Sequence, residues 1–169
     1  MPVTVPPRGR SRHAISVAAI ASGYRAAMSR PATPDDVDAI CASLPEAELG
    51  TSWGDVPTWK VPAGEKGKGF LLYRKPHRSA VDPDTGELYD DLLVIMVPDA
   101  GAKAALVEDP ATPFFTIDHF RGFNAVLVQQ SRLGELDLDE LREVITEAWA
   151  VKAPKRLVRS YFATDPADG

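Results

Sequence analysis

Three stretches of the chain repeat apolar residues at helical spacing, and the segments between them read as strands. Val37, Ile40, Cys41 and Leu44 stand at i, i+3, i+4 and i+7, the spacing that gathers side chains on one face of a helix. Thr33 before Pro34 marks its start, because a threonine oxygen can accept an orphan backbone N–H and proline has none to offer. Asp35 and Asp36 suit the positive end of the helix dipole, and Pro45 stops the helix. Ala102, Ala105 and Leu106 form the inner face of a second helix, between Pro98-Asp99 and Asp109-Pro110. Leu138, Leu141, Val144, Ile145, Ala148 and Trp149 form the stripe of a third. Asp137 and Glu140 have the spacing of a capping box at its start, and Pro154 ends it.

Residues 51–54, 57–61 and 70–73 are rich in aromatic and β-branched side chains and punctuated by Gly and Pro, which predicts short strands. Residues 92–97 are a continuous apolar run, expected as a buried central strand. Residues 124–128 predict another strand, and residues 114–117 a short edge segment. Helix, strands, helix, strands, helix is not the regular alternation of a parallel sheet. The expected fold is therefore α+β, a two-layer α-β-α sandwich with a mainly antiparallel sheet and helices on one face.

Residues 1–31 mix Pro, Arg, Ser and Ala without a core stripe and are expected to be a disordered extension. The domain spans 32–162, and 163–169 is expected to be a disordered tail. No apolar run approaches the ~20 residues that a membrane-spanning helix needs. The Arg8–Arg12 cluster and the apolar stretch behind it faintly resemble a signal peptide, but Ser16, Gly23 and Arg25 break the pattern. A cytoplasmic monomer with no membrane role is the expectation. The single cysteine, Cys41, excludes an internal disulfide and a multi-cysteine metal site, and its place on the apolar stripe makes it a core residue.

Charge changes the picture. The net charge is −5, yet residues 1–30 hold five arginines and no acid, and residues 152–169 carry +2. Residues 31–151 therefore carry −12. Such a body does not suit a non-specific duplex binder, which must neutralise phosphates. Only a local basic face could serve.

Candidate chemistry is sparse. His13, His77 and His119 show neither metal spacing nor a serine elbow. The glycine-rich residues 64–69 lack the phosphate-loop spacing and read as a hairpin turn, and the acidic residues 82–91, whose calcium-loop pattern is incomplete and holds Pro83, read as a solvated hairpin. No catalytic centre, metal site or cofactor is expected. Two basic clusters remain: Arg74, Lys75, His77 and Arg78, and Lys152, Lys155, Arg156 and Arg159, with His119, Phe120, Arg121 and Phe123 between them in sequence. Cations can pair phosphates and exposed aromatics can stack on bases. A basic run after a helix can also simply offset the helix dipole.

Several pieces together resemble the MmcQ/YjbR family. They are Ser43-Leu-Pro-Glu46, Ser52-Trp-Gly54 with Trp59-Lys-Val61, the strand at residues 93–97, Phe114 through His119, Gly122 through Val128, and Leu141 through Trp149 to Leu157. The order and spacing hold over about residues 32–162. The resemblance implies a fold similar to CyaY and frataxin, and DNA binding without a named sequence. It carries over Trp53 and Trp59, then His119, Arg121 and Phe123, then Lys155 and Arg156. The insert from Lys75 to Tyr89 is longer than typical. Frataxin-like iron binding is not implied, because only Asp35, Asp36 and Asp38 stand on the first helix.

Two readings follow. One is a nucleic-acid-binding module, with Arg74, Lys75, Arg78, His119, Arg121, Lys155, Arg156 and Arg159 at phosphates and Trp53, Trp59, Phe120 or Phe123 stacking. The other is a protein- or small-ligand-binding module, with an aromatic pocket built from the Trp53–Trp59 segment, the Phe114–Phe123 loop and Trp149.

Overall fold

A computed structural model describes residues 29–163. The disordered extension and tail expected from the sequence lie almost wholly outside the described residues. From Ser29 onward the chain is engaged: the Leu138 N–H donates to the Arg30 carbonyl at 2.8 Å, and the Ala32 N–H donates to the Leu136 carbonyl at 2.9 Å.

The first helix, α1 (Pro34–Ser43), starts at Thr33. Asp36 Oδ2 accepts the Thr33 N–H at 2.8 Å, and Arg30 clamps the same carboxylate at 2.8 and 2.7 Å. The guanidinium holds the Asp36 carboxyl well below the usual carboxylate range. Four strands follow: β1 (Glu48–Ser52), β2 (Val56–Val61), β3 (Lys68–Tyr73) and β4 (Leu92–Met96). Then come α2 (Ala100–Val107), a 3-10 turn (Asp118–Phe120), β5 (Ala125–Gln129), a second 3-10 segment (Gln130–Glu135), α3 (Leu138–Lys152) and α4 (Lys155–Ala163). The strands form one antiparallel sheet in the order β1-β2-β3-β4-β5. The mixed α+β class and the antiparallel sheet are as the sequence predicts. The 64–69 segment is a hairpin connection between β2 and β3, as expected.

Alternation along the strands divides the core. Trp59, Val61, Phe70, Leu93, Ile95, Val126 and Val128 join α1, α3 and α4 in one apolar cluster. Val56, Leu72, Leu92, Val94, Ala125 and Leu127 point to the other face, where no α-helix among the described residues covers them. Loops do so instead. Ala80 and Phe120 are buried there, with Tyr89, Phe115 and Ile117 packed around them. The long insert after β3 thus roofs the second face of the sheet. The segment at 114–117 meets β5 through a single bridge, Phe115 to Leu127.

Three details differ from the sequence reading. Residues 51–54 are expected in a strand, but β1 ends at Ser52, and Trp53 and Gly54 turn the chain into β2 with left-handed backbone. Residues 92–97 were expected in a central strand, and β4 lies one place in from the edge, with β3 at the centre. It is still buried on both faces, because loops and helices cover opposite sides. The basic run after Pro154 is also a helix, α4. Pro154 ends α3 and begins α4, since proline is tolerated in the first turn of a helix. Leu157 and Tyr161 then pack inward, with the Tyr161 ring 5.2 Å from that of Trp149.

Candidate nucleic-acid interface

Three loops meet at one corner of the loop-covered face. The first is the β1–β2 turn. Trp53 and Gly54 both adopt positive φ, 48° and 88°. That is ordinary for glycine and strained for a bulky residue. The strained turn leaves the indole 59% exposed, 6.4 Å from the Phe120 ring. The second loop follows β3 and brings Arg74, Lys75 and His77. The third is the turn at residues 118–123, with His119 against Phe120 at 5.2 Å and Phe123 against Phe120 at 5.7 Å. Phe120 is buried and acts as the floor, while Phe123 is 55% exposed. Trp53, Val56, Arg74, Lys75, Pro76, His77 and His119 line a cleft of about 240 Å³ between the loops.

Arg74 is the central cation. Alternation puts Tyr73 on the helical side and Arg74 on the loop side, where its guanidinium carbon lies 5.4 Å from the Phe120 ring centre. Arg74 Nη2 donates to Ser79 Oγ at 2.8 Å, while Nη1 is buried without a hydrogen-bond partner. Burial pulls this guanidinium below its usual value. A cation held against an aromatic face, with a donor to spare, is an anion-seeking group. His77 stands beside it. Its Nδ1 accepts the Ser79 N–H at 3.1 Å and lies 2.8 Å from Ser79 Oγ. Accepting that N–H leaves Nε2 as the protonated nitrogen of neutral His77, and so a donor. The rings of His77 and His119 are 6.2 Å apart.

The Ser79–His77 contact is not a nucleophile–base pair of the usual kind. Oγ already accepts from Arg74, the contact closes a local turn, and no described carboxylate bonds the His77 ring. Cys41 is fully buried, and burial, then the Asp38 charge, push its thiol far up, so it stays protonated.

Carboxylates sit beside the outer cations. Lys75 pairs with Asp55 at 2.6 Å and Arg121 with Asp118 at 2.6 Å, both largely exposed. Exposed pairs are worth about 0–1 kcal/mol, so an incoming phosphate can compete for both cations. Arg74 and Arg78 have no carboxylate partner among the described residues.

The structure brings together Trp53, Phe120, Phe123, Arg74, Lys75 and His119, while Arg121 lines the groove between its loop and α2, and Arg78 is exposed on the loop after β3, outside the cleft lining. It does not bring the remaining sequence candidates to them. Trp59 is on the helical face, 7% exposed, with Nε1 donating to Asp38 at 2.8 Å. Lys155, Arg156 and Arg159 belong to α4 in the helical layer, where Arg156 pairs with Glu46 at 3.2 Å. Trp149 is fully buried there too, its Nε1 donating to the Pro45 carbonyl at 2.9 Å. One aromatic pocket shared by Trp53, Trp59 and Trp149 therefore does not form: the left-handed β1–β2 turn directs Trp53 to Phe120, whereas Trp59 on β2 and Trp149 on α3 are buried in the core under the helices. His77 joins the site although the sequence reading gave it no role of its own. Its neighbours Arg74 and Lys75 were the signal.

Comparison with known proteins identifies the chain's relatives. A family model for YjbR matches residues 42–151. An uncharacterized protein of Mycobacterium tuberculosis and one of Mycobacterium bovis are each 36% identical over 141 residues, covering 78% of this chain and 97% of the relative. No solved structure matches the chain significantly. The family match spans both the sheet and the three loops of the cleft, and the chain belongs to the YjbR family.

Proposed function

We propose that the protein is a non-enzymatic binding module that takes single-stranded nucleic acid at the cleft between Trp53, Arg74, His77 and His119. The observation that carries this reading is the meeting of exposed aromatics with cations around one cleft of about 240 Å³. Trp53 and Phe123 offer π faces to unstacked bases, Arg74 and Lys75 offer partners to the phosphates at the cleft, and the exposed Arg78 and Arg121 on the same loops extend the cationic surface beyond it. A duplex hides its base faces and presents two charged backbones to a body of −12. A single strand needs only the local basic corner. The three loops are set on a sheet buried on both faces, so the cleft is held by a rigid support.

Titration of labelled single-stranded DNA and RNA at low salt tests the reading. Two of the three tryptophans are buried, so Trp53 should dominate any fluorescence quenching. Binding should weaken with salt at a log–log slope of about −0.7 per neutralised phosphate. No binding to any single strand at low salt would refute the proposal.

A further inference from the structure

We propose that Lys103 is a positioning residue for the cleft, holding the loop at 118–123 in place from behind without touching the ligand. The proposal rests on the reading of the cleft as the nucleic-acid site. Lys103 is the fourth residue of α2, near the positive end of the helix dipole, where a lysine is electrostatically unfavourable. Its ammonium instead turns to the loop and donates to the Phe120 carbonyl at 2.7 Å and the Phe123 carbonyl at 2.8 Å. Those two residues bracket Arg121 and Gly122, and Phe120 follows His119 directly.

The buried Phe120 ring anchors one point of this loop, and the Ala125 N–H donates to the Phe123 carbonyl at 2.9 Å, but Arg121 and Gly122 between them are exposed. Backbone bonds of the turn run within it, from Phe120 to Ile117, Arg121 to Asp118 and Phe123 to Phe120. Among the described residues, Lys103 supplies the side-chain hydrogen bonds that reach it from outside. Between α2 and the loop lies a groove of about 310 Å³, so on the α2 side close apolar packing does not replace the clamp. Asp99 fixes the lysine's own helix by accepting the Ala102 N–H at 2.8 Å. The chain of support runs from Asp99 to α2, to Lys103, to the two carbonyls, and so to the loop that presents His119 to the cleft and carries Arg121 and Phe123 beside it. Burial lowers the lysine below its usual value, in keeping with an ammonium withdrawn from water.

The test compares Lys103→Met, Lys103→Arg and Arg74→Ala. In the free protein, hydrogen exchange at Arg121 and Phe123 should speed up on the order of tenfold in Lys103→Met, for the loss of two charge-assisted hydrogen bonds. Lys103→Arg, which keeps donors, should restore much of the protection. Single-strand affinity should fall about tenfold in Lys103→Met with an unchanged salt slope, whereas Arg74→Ala should flatten the slope by about 0.7. A flatter slope in Lys103→Met would mean that Lys103 meets phosphate itself, and unchanged loop exchange would mean that it holds nothing. Either overturns the proposal. If the wild-type protein binds no single strand, the functional reading fails, and the exchange experiment alone decides whether Lys103 orders the loop.

Discussion

Asp38 and Glu143 show how differently acidic side chains can be used within one domain. Asp38 is a hub: Oδ1 accepts from Trp59 Nε1 at 2.8 Å and from the Tyr73 hydroxyl at 2.6 Å, joining α1 to β2 and β3. Glu143 on α3 has no such use. Its Oε1 is buried without a hydrogen-bond partner, and burial, then the Glu147 and Glu140 charges, push its carboxyl up to about 7. An acid whose folded pKa is raised stabilises the fold while protonated. Its contribution is greatest below about 4.5 and is lost as pH rises towards 7. Glu143→Gln should therefore raise stability at pH 8 by about 1 kcal/mol, allowing for the carboxyl's partial contact with water, and leave it unchanged at pH 4. Thermal melts at the two pH values check this. An equal effect at both would show that shape, not charge, governs the site.

At the level of elements, α4 is the one the sequence reading passed over. Its signal was present: Leu157, Val158 and Tyr161 fall at i, i+1 and i+4, with Lys155, Arg156 and Arg159 on the outer side. Proline and charge mask it, because a proline after a helix reads as a stop although it also suits the start of the next one. The helix is packed by Leu157 and by Tyr161 against Trp149. Leu157→Ala should cost about 2 kcal/mol in urea unfolding. It should leave single-strand affinity intact, because α4 lies across the sheet from the cleft. A parallel loss of affinity would show that the two faces are coupled. The helices α1 and α3 were legible for a different reason. Each carries its start signal and its apolar stripe within the same short stretch, so no distant contact is needed to define it.

The whole molecule decides what the charge pattern means. The two basic clusters looked alike in sequence, yet one lines the cleft and the other decorates the helical layer. Neutralising Lys155, Arg156 and Arg159 together with glutamine should change single-strand affinity less than about twofold, since charges beyond a Debye length of about 8 Å are largely screened at physiological salt. Anisotropy titrations measure this, and a loss comparable to that of Arg74→Ala would place α4 in the interface. The sequence by itself determined the elements with local signals: α1, α2 and α3, the strands β2 to β5, the hairpin between β2 and β3, and through them the α+β class; β1 starts earlier than its aromatic signal, because Trp53 and Gly54 form its turn. The sequence also determined that the body is acidic and that Arg74, Lys75, Arg78, His119 and Arg121 are available cations. Only the tertiary structure decided which of these share a surface. Facing is set by strand register and by where the long insert folds back, and both depend on contacts between residues far apart in the chain. The left-handed turn between β1 and β2 adds to this: it carries Trp53 to Phe120 on the loop-covered side, while Trp59 on β2 packs under the helices. Such distant contacts are also why Lys103, with no motif to mark it, stands behind the loop that carries His119, Arg121 and Phe123.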